Sequence, residues 1–136
     1  MVFFGVAIDY VAVAAAAAVS FVIGVIWYAP PLLGKYWIEE SKQGNTANAG
    51  VGRTLGSAVI SSLLIAFVLE VVMEGLHVST WTSAFELAAL LWIGFYFTKE
   101  FASMVSGDKP MKVFASIAIH DAIMLLLMVA VLFALN

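Results

Sequence analysis

Apolar residues run along this chain in four long blocks, separated by short clusters of proline, glycine and polar side chains. The hydrocarbon core of a bilayer takes about 20 consecutive, mostly apolar residues of helix. On that measure the pattern predicts spans over about 5–29, 54–76, 81–104 and 111–135. Residues 10–33 carry no charge at all, whereas the other three blocks contain acids. The breaks have physical causes. Pro30-Pro31 cannot continue a helix, because proline lacks an N–H and restricts the residue before it. The run GNTANAGVG over 44–52 is small and polar, a flexible connector. A tight turn is expected over 75–80, where Ser79 or Thr80 could cap the next helix. Residues 106–110 (SGDKP) make a turn with proline leading into the last helix. The expectation is all-α: one domain over 1–136, a bundle of four transmembrane helices.

Composition supports the bilayer reading. Of 136 residues, 64% are hydrophobic and 11% charged, against nearly half and a quarter in ordinary soluble domains. Mean hydropathy is +1.07. A soluble fold of this size has too little interior for so much apolar side chain. The same figures exclude a disordered chain and a nucleic-acid binder with a basic face. Cysteine is absent, so disulfides and thiolate chemistry are excluded. The first block has no basic n-region, contains Asp9 and is too long for a cleaved signal peptide.

The six basic residues set an orientation. Lys35, Lys42 and Arg53 lie in the first connection or at its end, and Lys99, Lys109 and Lys112 flank the third. By the positive-inside rule, segments 30–53 and 105–110 are expected in the cytoplasm and both termini outside, with the protein integral to the cell membrane. Trp27, Tyr28, Tyr36 and Trp37 then form an inner aromatic belt, and Trp81 marks the outer interface. Ile23-Gly24 followed by aromatics is echoed 70 residues later by Ile93-Gly94-Phe95-Tyr96, a weak sign of two repeated hairpins.

Helices in lipid associate through small residues that let backbones approach. The first span has a ladder of Ala12, Ala16, Ser20 and Gly24. The second has Ala58, Ser62 and Ala66, continuing in the same register to Glu70 and Glu74, with Gly52 and Gly56 at its inner end. Four-residue spacing puts each ladder on one helix face. If the two ladders meet, Asp9 comes to lie near Glu70 and Glu74.

Ionisable residues at membrane depth are costly and face protein or water. Asp9, Glu70, Glu74 and Glu86 fall in the outer third of their spans, and His120 and Asp121 near mid-depth. Three readings compete: protonated acids hydrogen-bonded between helices, a cation site on Glu70 and Glu74 with His77 one turn on, or an outward-facing proton or cation path ending at His120-Asp121. Neighbouring helical residues point about 100° apart, which argues against a direct His120–Asp121 couple. No HExxH spacing, nucleophile elbow or phosphate loop is present. An enzyme is therefore not expected, nor a cofactor, and whether a metal binds stays open.

The stretch Phe21-Val-Ile-Gly24-Val-Ile-Trp27-Tyr28-Ala-Pro30-Pro-Leu-Leu-Gly34-Lys-Tyr-Trp37 resembles the F-x-x-G-x-x-W-Y-x-P-x-x-x-G-x-x-W signature of the membrane family catalogued as domain of unknown function 1761. The run from Gly107 through Pro110 to Phe114 is similar to that family's next turn. The last helix is similar too, with an acidic or amide residue usual about where Asp121 sits. The resemblance implies four transmembrane helices and brings no established activity. In the signature, Gly24 would admit a neighbouring helix, Trp27 and Tyr28 would anchor at headgroups, and Pro30, Gly34 and Trp37 would form an interfacial elbow. The leading expectation is a small integral membrane protein that acts by helix association, with itself or with other membrane proteins. The alternative is a proton- or cation-coupled transporter or channel.

Overall fold

A computed structural model of the protein describes residues 2–27, 51–107 and 110–136. Strands β1 (Val2–Phe3) and β2 (Val6–Ala7) form a short antiparallel hairpin. Helices follow at α1 (Tyr10–Trp27), α2 (Val51–Gly75) and α3 (Trp81–Leu91). A π-helical segment (Trp92–Phe97) continues α3 without a break into α4 (Thr98–Val105), and α5 (Met111–Leu135) ends the described chain. The fold is all-α with four helical spans, the third being α3, the π segment and α4 together. By length and composition, α1, α2 from Gly52 and α5 can each cross a membrane. Tyr28, Pro30, Gly34 and Trp37 of the expected elbow lie outside the described residues.

The first span starts later than its hydropathy suggests. Phe4 (φ 53°) and Gly5 (φ 75°) both adopt positive φ, the requirement of a two-residue type I′ hairpin turn. The chain then straightens to Asp9, whose Oδ1 accepts from the N–H groups of Val11 (3.1 Å) and Ala12 (3.2 Å). This is an N-cap, and it sets the helix start at Tyr10. Apolar Val6 and Ile8 misled the boundary because they are buried against the helices without being helical.

α2 ends in a Schellman motif. Val78 N–H donates to the Met73 carbonyl (3.0 Å) and His77 N–H to that of Glu74 (3.1 Å), with His77 at φ 55°. Glycine usually occupies that left-handed position, since a Cβ there costs roughly 1–2 kcal/mol. His77→Gly is therefore expected to stabilise the protein by about 0.5–1 kcal/mol after glycine's own entropic cost. Thermal unfolding in detergent checks this, and a lower melting temperature would refute it. Thr80 caps α3, its Oγ1 accepting from Ser83 N–H at 3.0 Å.

The helices pack as a row. α1 lies against α2 on one side and α5 on the other, and α5 in turn packs on the third span. α1 and α5 are thus the central pair. α5 buries residues along most of its length, from Val113 to Leu132. The core lies where the first half of α1 meets the last half of α5 and the middle of α2: Ala12, Ala16, Ala66, Met128 and Leu132 are fully buried. Outward-facing positions such as Val11, Ile60, Leu64, Leu90 and Phe95 remain exposed, as expected of surfaces that meet lipid. Gly24 and Gly94, the paired positions of the suggested repeat, differ in setting. A Cβ on Gly24 would meet His120 Nε2 at 3.9 Å, whereas Gly94 faces open space.

The third span owes its π segment to its packing. Ala84, Ala88 and Glu100 are buried, and Trp92 and Tyr96 are half-buried between them. These residues recur every four positions. An α-helix overshoots a full turn by about 40° in four residues, so this series would drift by about 160° from Ala84 to Glu100. The wider turn of i→i+5 bonding takes up that drift. It keeps Trp92 and Tyr96 on the side where the span meets α5.

Candidate functional site

Two polar clusters stand out inside the helices. The first ties three helix ends together. Glu70 is fully buried. Its Oε2 accepts from the backbone N–H of Asp9 (2.9 Å) and its Oε1 from the Nδ2 of Asn136 (2.9 Å). Asn136 also donates to the Leu132 carbonyl at 2.7 Å, which closes the last turn of α5. A single carboxylate therefore holds the entry to α1 and the exit of α5 onto α2. The structure brings Asp9 and Glu70 together through the Asp9 backbone, while the Asp9 side chain serves its own helix. Glu74 is half-buried nearby. His77 is exposed and used as a helix cap. Glu86 is exposed on α3, apart from the cluster. No group of three His, Asp or Glu among the described residues is placed to hold a metal ion.

Below this cluster the small-residue faces of α1 and α2 cross. Ala12, Ala16, Ser20, Ser62 and Ala66 are buried, and Ala58 and Gly24 are half-buried. The Ser62 hydroxyl donates to the Ser20 hydroxyl at 3.2 Å. Each hydroxyl thus finds a partner on the facing helix, as polar groups in lipid must. Gly52 and Gly56 lie beyond this crossing, exposed and with open space where a Cβ would be.

The second cluster lies midway along α5. His120 Nδ1 is 3.1 Å from Asp121 Oδ1, and both side chains are largely buried. This corrects the expectation that adjacent residues would not pair. The 100° separation holds at Cβ, but an imidazole and a carboxylate extend far enough to swing back and meet. Trp27 of α1 stands beside the ring, centroids 6.1 Å apart. Its indole N–H donates to both the carbonyl and the hydroxyl of Ser116 (3.2 Å each). From the other side, Trp92 Nε1 donates to the Ala118 carbonyl at 2.9 Å. Tyr96, one turn on from Trp92, is half-buried. Two indoles thus clamp one turn of α5 from opposite neighbours, immediately before the His–Asp couple. Below it, Phe97 stacks on Phe101 and both meet Phe114 edge-to-face, at centroid distances of 5.7–6.4 Å.

Sequence reasoning named Trp27, His120 and Asp121 but missed Trp92, Tyr96, Ser116 and Asn136. The four-residue spacing from Ala84 to Glu100 was the available signal for Trp92 and Tyr96. The serine four residues before His120 was the signal for Ser116. Nothing local marked Asn136, whose role depends on where α2 lies.

Against known proteins, residues 11–133 match the family model described as "Protein of unknown function (DUF1761)". The match covers nearly the whole chain. The protein belongs to the DUF1761 family. No curated protein and no solved structure matches it. In this DUF1761 chain the matched segment includes the Ser20–Ser62 crossing, Glu70 and the His120–Asp121 couple. Asp9 and Asn136 fall outside it.

Proposed function

We propose that this DUF1761 protein is an integral protein of the cell membrane that acts by helix association, as a homo-oligomer or as an accessory subunit of a larger membrane assembly, and not as an enzyme. The observation that supports this best is Glu70. An acid serving a transport path needs water and room to exchange a proton or ion. Glu70 is fully buried, with both oxygens engaged by donors from its own chain. Ser20 and Ser62 likewise satisfy each other. The polar interior is therefore used to fix helices. The row arrangement leaves α2 and the third span as end helices with broad outward faces. Size-exclusion chromatography with light scattering in mild detergent tests this, together with affinity purification from native membranes. The expected result is more than one copy, or a stoichiometric second membrane protein. A monomer without partners would overturn it.

Proton- or cation-coupled transport is the second reading. It rests on the position of the His120–Asp121 couple opposite a π-helical turn, since such turns often mark functional sites. Asp121→Asn in proteoliposomes separates the two: abolished flux with an intact fold supports transport, whereas no flux in the wild type removes it.

The proposed orientation places 30–53 and 105–110 in the cytoplasm and both chain ends outside, from the one-sided Lys and Arg distribution. Reporter fusions at Asn45 and Asp108 are expected to report cytoplasm, and a fusion after Asn136 the outside. A cytoplasmic signal from that last fusion would overturn the four-span, N-out arrangement.

A further inference from the structure

We propose that the hairpin ahead of α1 is a lipid anchor, its tip lying in the headgroup layer of the bilayer with the Phe4 side chain among the upper acyl chains. The inference rests on α1 and α2 crossing the membrane, and not on helix association. Two contacts set the height of the hairpin. The Asp9 N–H reaches Glu70 at 2.9 Å. Further back along the chain, Val6 packs on the end of α2, where a Cβ on Gly75 would meet its side chain at 3.9 Å. The apolar part of α2 is 24 residues, Gly52–Gly75, about 36 Å of helix. A hydrocarbon core of about 30 Å leaves an overhang of about 3 Å at each end. Headgroup layers are thicker than that, roughly 5–8 Å each. Val6 is thus held at headgroup level, and Phe4 follows within two residues, about 7 Å of extended chain.

The side chains of this segment divide. Val6 and Ile8 are buried against the helices, whereas Phe4 has 87% of its surface exposed. Phe4 also holds φ 53°, where a bulky side chain is a rare occupant. Asn, Asp or Gly would suit such a turn better. In water a polar residue would be favoured on both counts. In lipid the first count reverses, because the ring leaves water for an apolar surrounding. Lipid is the occupant because the tip is tied by Asp9 and Val6 to the ends of two membrane-crossing helices. Tyr10 and Trp81 are exposed at the same end of the bundle, and aromatic residues of this kind mark the membrane interface. The hairpin backbone stays in the headgroup layer, since the edges of a two-stranded sheet need polar partners that acyl chains lack.

The chain has no cysteine, so a nitroxide can be placed at one introduced position. The full chain is studied in vesicles of phosphatidylcholine and phosphatidylglycerol, with spin-labelled lipids as the depth scale. The label at Phe4→Cys is expected at or below the lipid phosphate, within the roughly 5–10 Å reached by interfacial apolar groups. Oxygen, which partitions into lipid, should then reach it far better than a water-soluble nickel chelate. Val11→Cys, on the exposed face of α1, is the lipid-facing reference. A water-like reading there would refute the membrane-crossing of α1 itself. A label at position 4 that is open to the chelate while Val11→Cys reads lipid would overturn the anchor. So would a label shielded from both relaxants, which would mean that protein covers the tip. A second measurement keeps an aromatic ring in place. Benzoylphenylalanine at position 4, irradiated in native membranes, is expected to give lipid adducts, as it should at position 11. Adducts to protein alone, or none where position 11 gives them, would overturn the proposal.

Discussion

Replacing Glu70 by alanine is expected to cost about 3 kcal/mol or more of stability, because it strips two donors of their acceptor at once. The Asp9 N–H and the Asn136 amide both end on this carboxylate; the half-buried Asp9 N–H would lose its acceptor, and the exposed Asn136 would no longer tie α5 to α2. Loss of the buried stem adds a cavity term. Glu70→Gln is the more instructive variant. An amide keeps size and one acceptor oxygen, but its NH2 must face either the Asp9 N–H or the Asn136 amide, which would have to turn to offer its oxygen and so give up the Leu132 carbonyl. A cost of about 1–3 kcal/mol is expected. Glutamine is thus a poor mimic here, contrary to the usual view that amide and protonated acid are interchangeable. Glu86→Gln, on an exposed position, is the control and is expected to stay within about 0.5 kcal/mol. Reversible unfolding in mixed micelles gives the three values. Equal stability of Glu70→Gln and wild type would show that the carboxylate is not the tie described.

Ala16→Leu is expected to be comparably damaging for the opposite reason, too much volume rather than too few acceptors. Ala16 is fully buried on the face that carries Ala12 and Ser20. Three extra carbons there must push the central helix away from a neighbour, at about 1–3 kcal/mol. The Ser20–Ser62 hydroxyl contact, one turn along, would open with it. Ala18 is exposed on the same helix, so Ala18→Leu adds the same volume toward the outside and is expected to stay within about 0.5 kcal/mol. Thermal melting of the two variants in one detergent decides the matter. Equal melting temperatures would mean that this face is not close-packed.

Much of the helical architecture was legible in the sequence. Long apolar blocks are a strong signal, and proline and glycine interrupt them where the chain turns. The small-residue series on α1 and α2 was legible too, since a four-residue interval is a direct statement about one helix face. Other features depend on information a linear pattern does not carry. The hairpin at Val2–Ala7 has strands of two residues each, too short for alternation to show, and its apolar residues merge with the helix that follows. The π-helical turn has the composition of ordinary helix, and only the exact interval between Ala84, Ala88, Trp92, Tyr96 and Glu100 betrays it. The His120–Asp121 contact was argued against from Cβ directions, which say little about side chains this long. Asn136 could not be assigned at all, because its partner lies 66 residues earlier in the chain.

The pairing of α1 with α5 has a consequence for biogenesis. The helices in the middle of the row are the first and the last of those described, so the centre cannot form until synthesis has reached α5. While α2 and the third span emerge, α2 is the neighbour that α1 has among the described helices, through Ser20 and Ser62. Its other flank, with Gly24 and Trp27, must wait at the translocon or in lipid. Contacts between distant parts of a chain also form slowly in general. On that order of synthesis Glu70 has Asp9 within the chain already made, but Asn136 only once α5 is complete. It is at this stage, before the last helix arrives, that a chaperone or a quality-control protease would find an incomplete protein to act on.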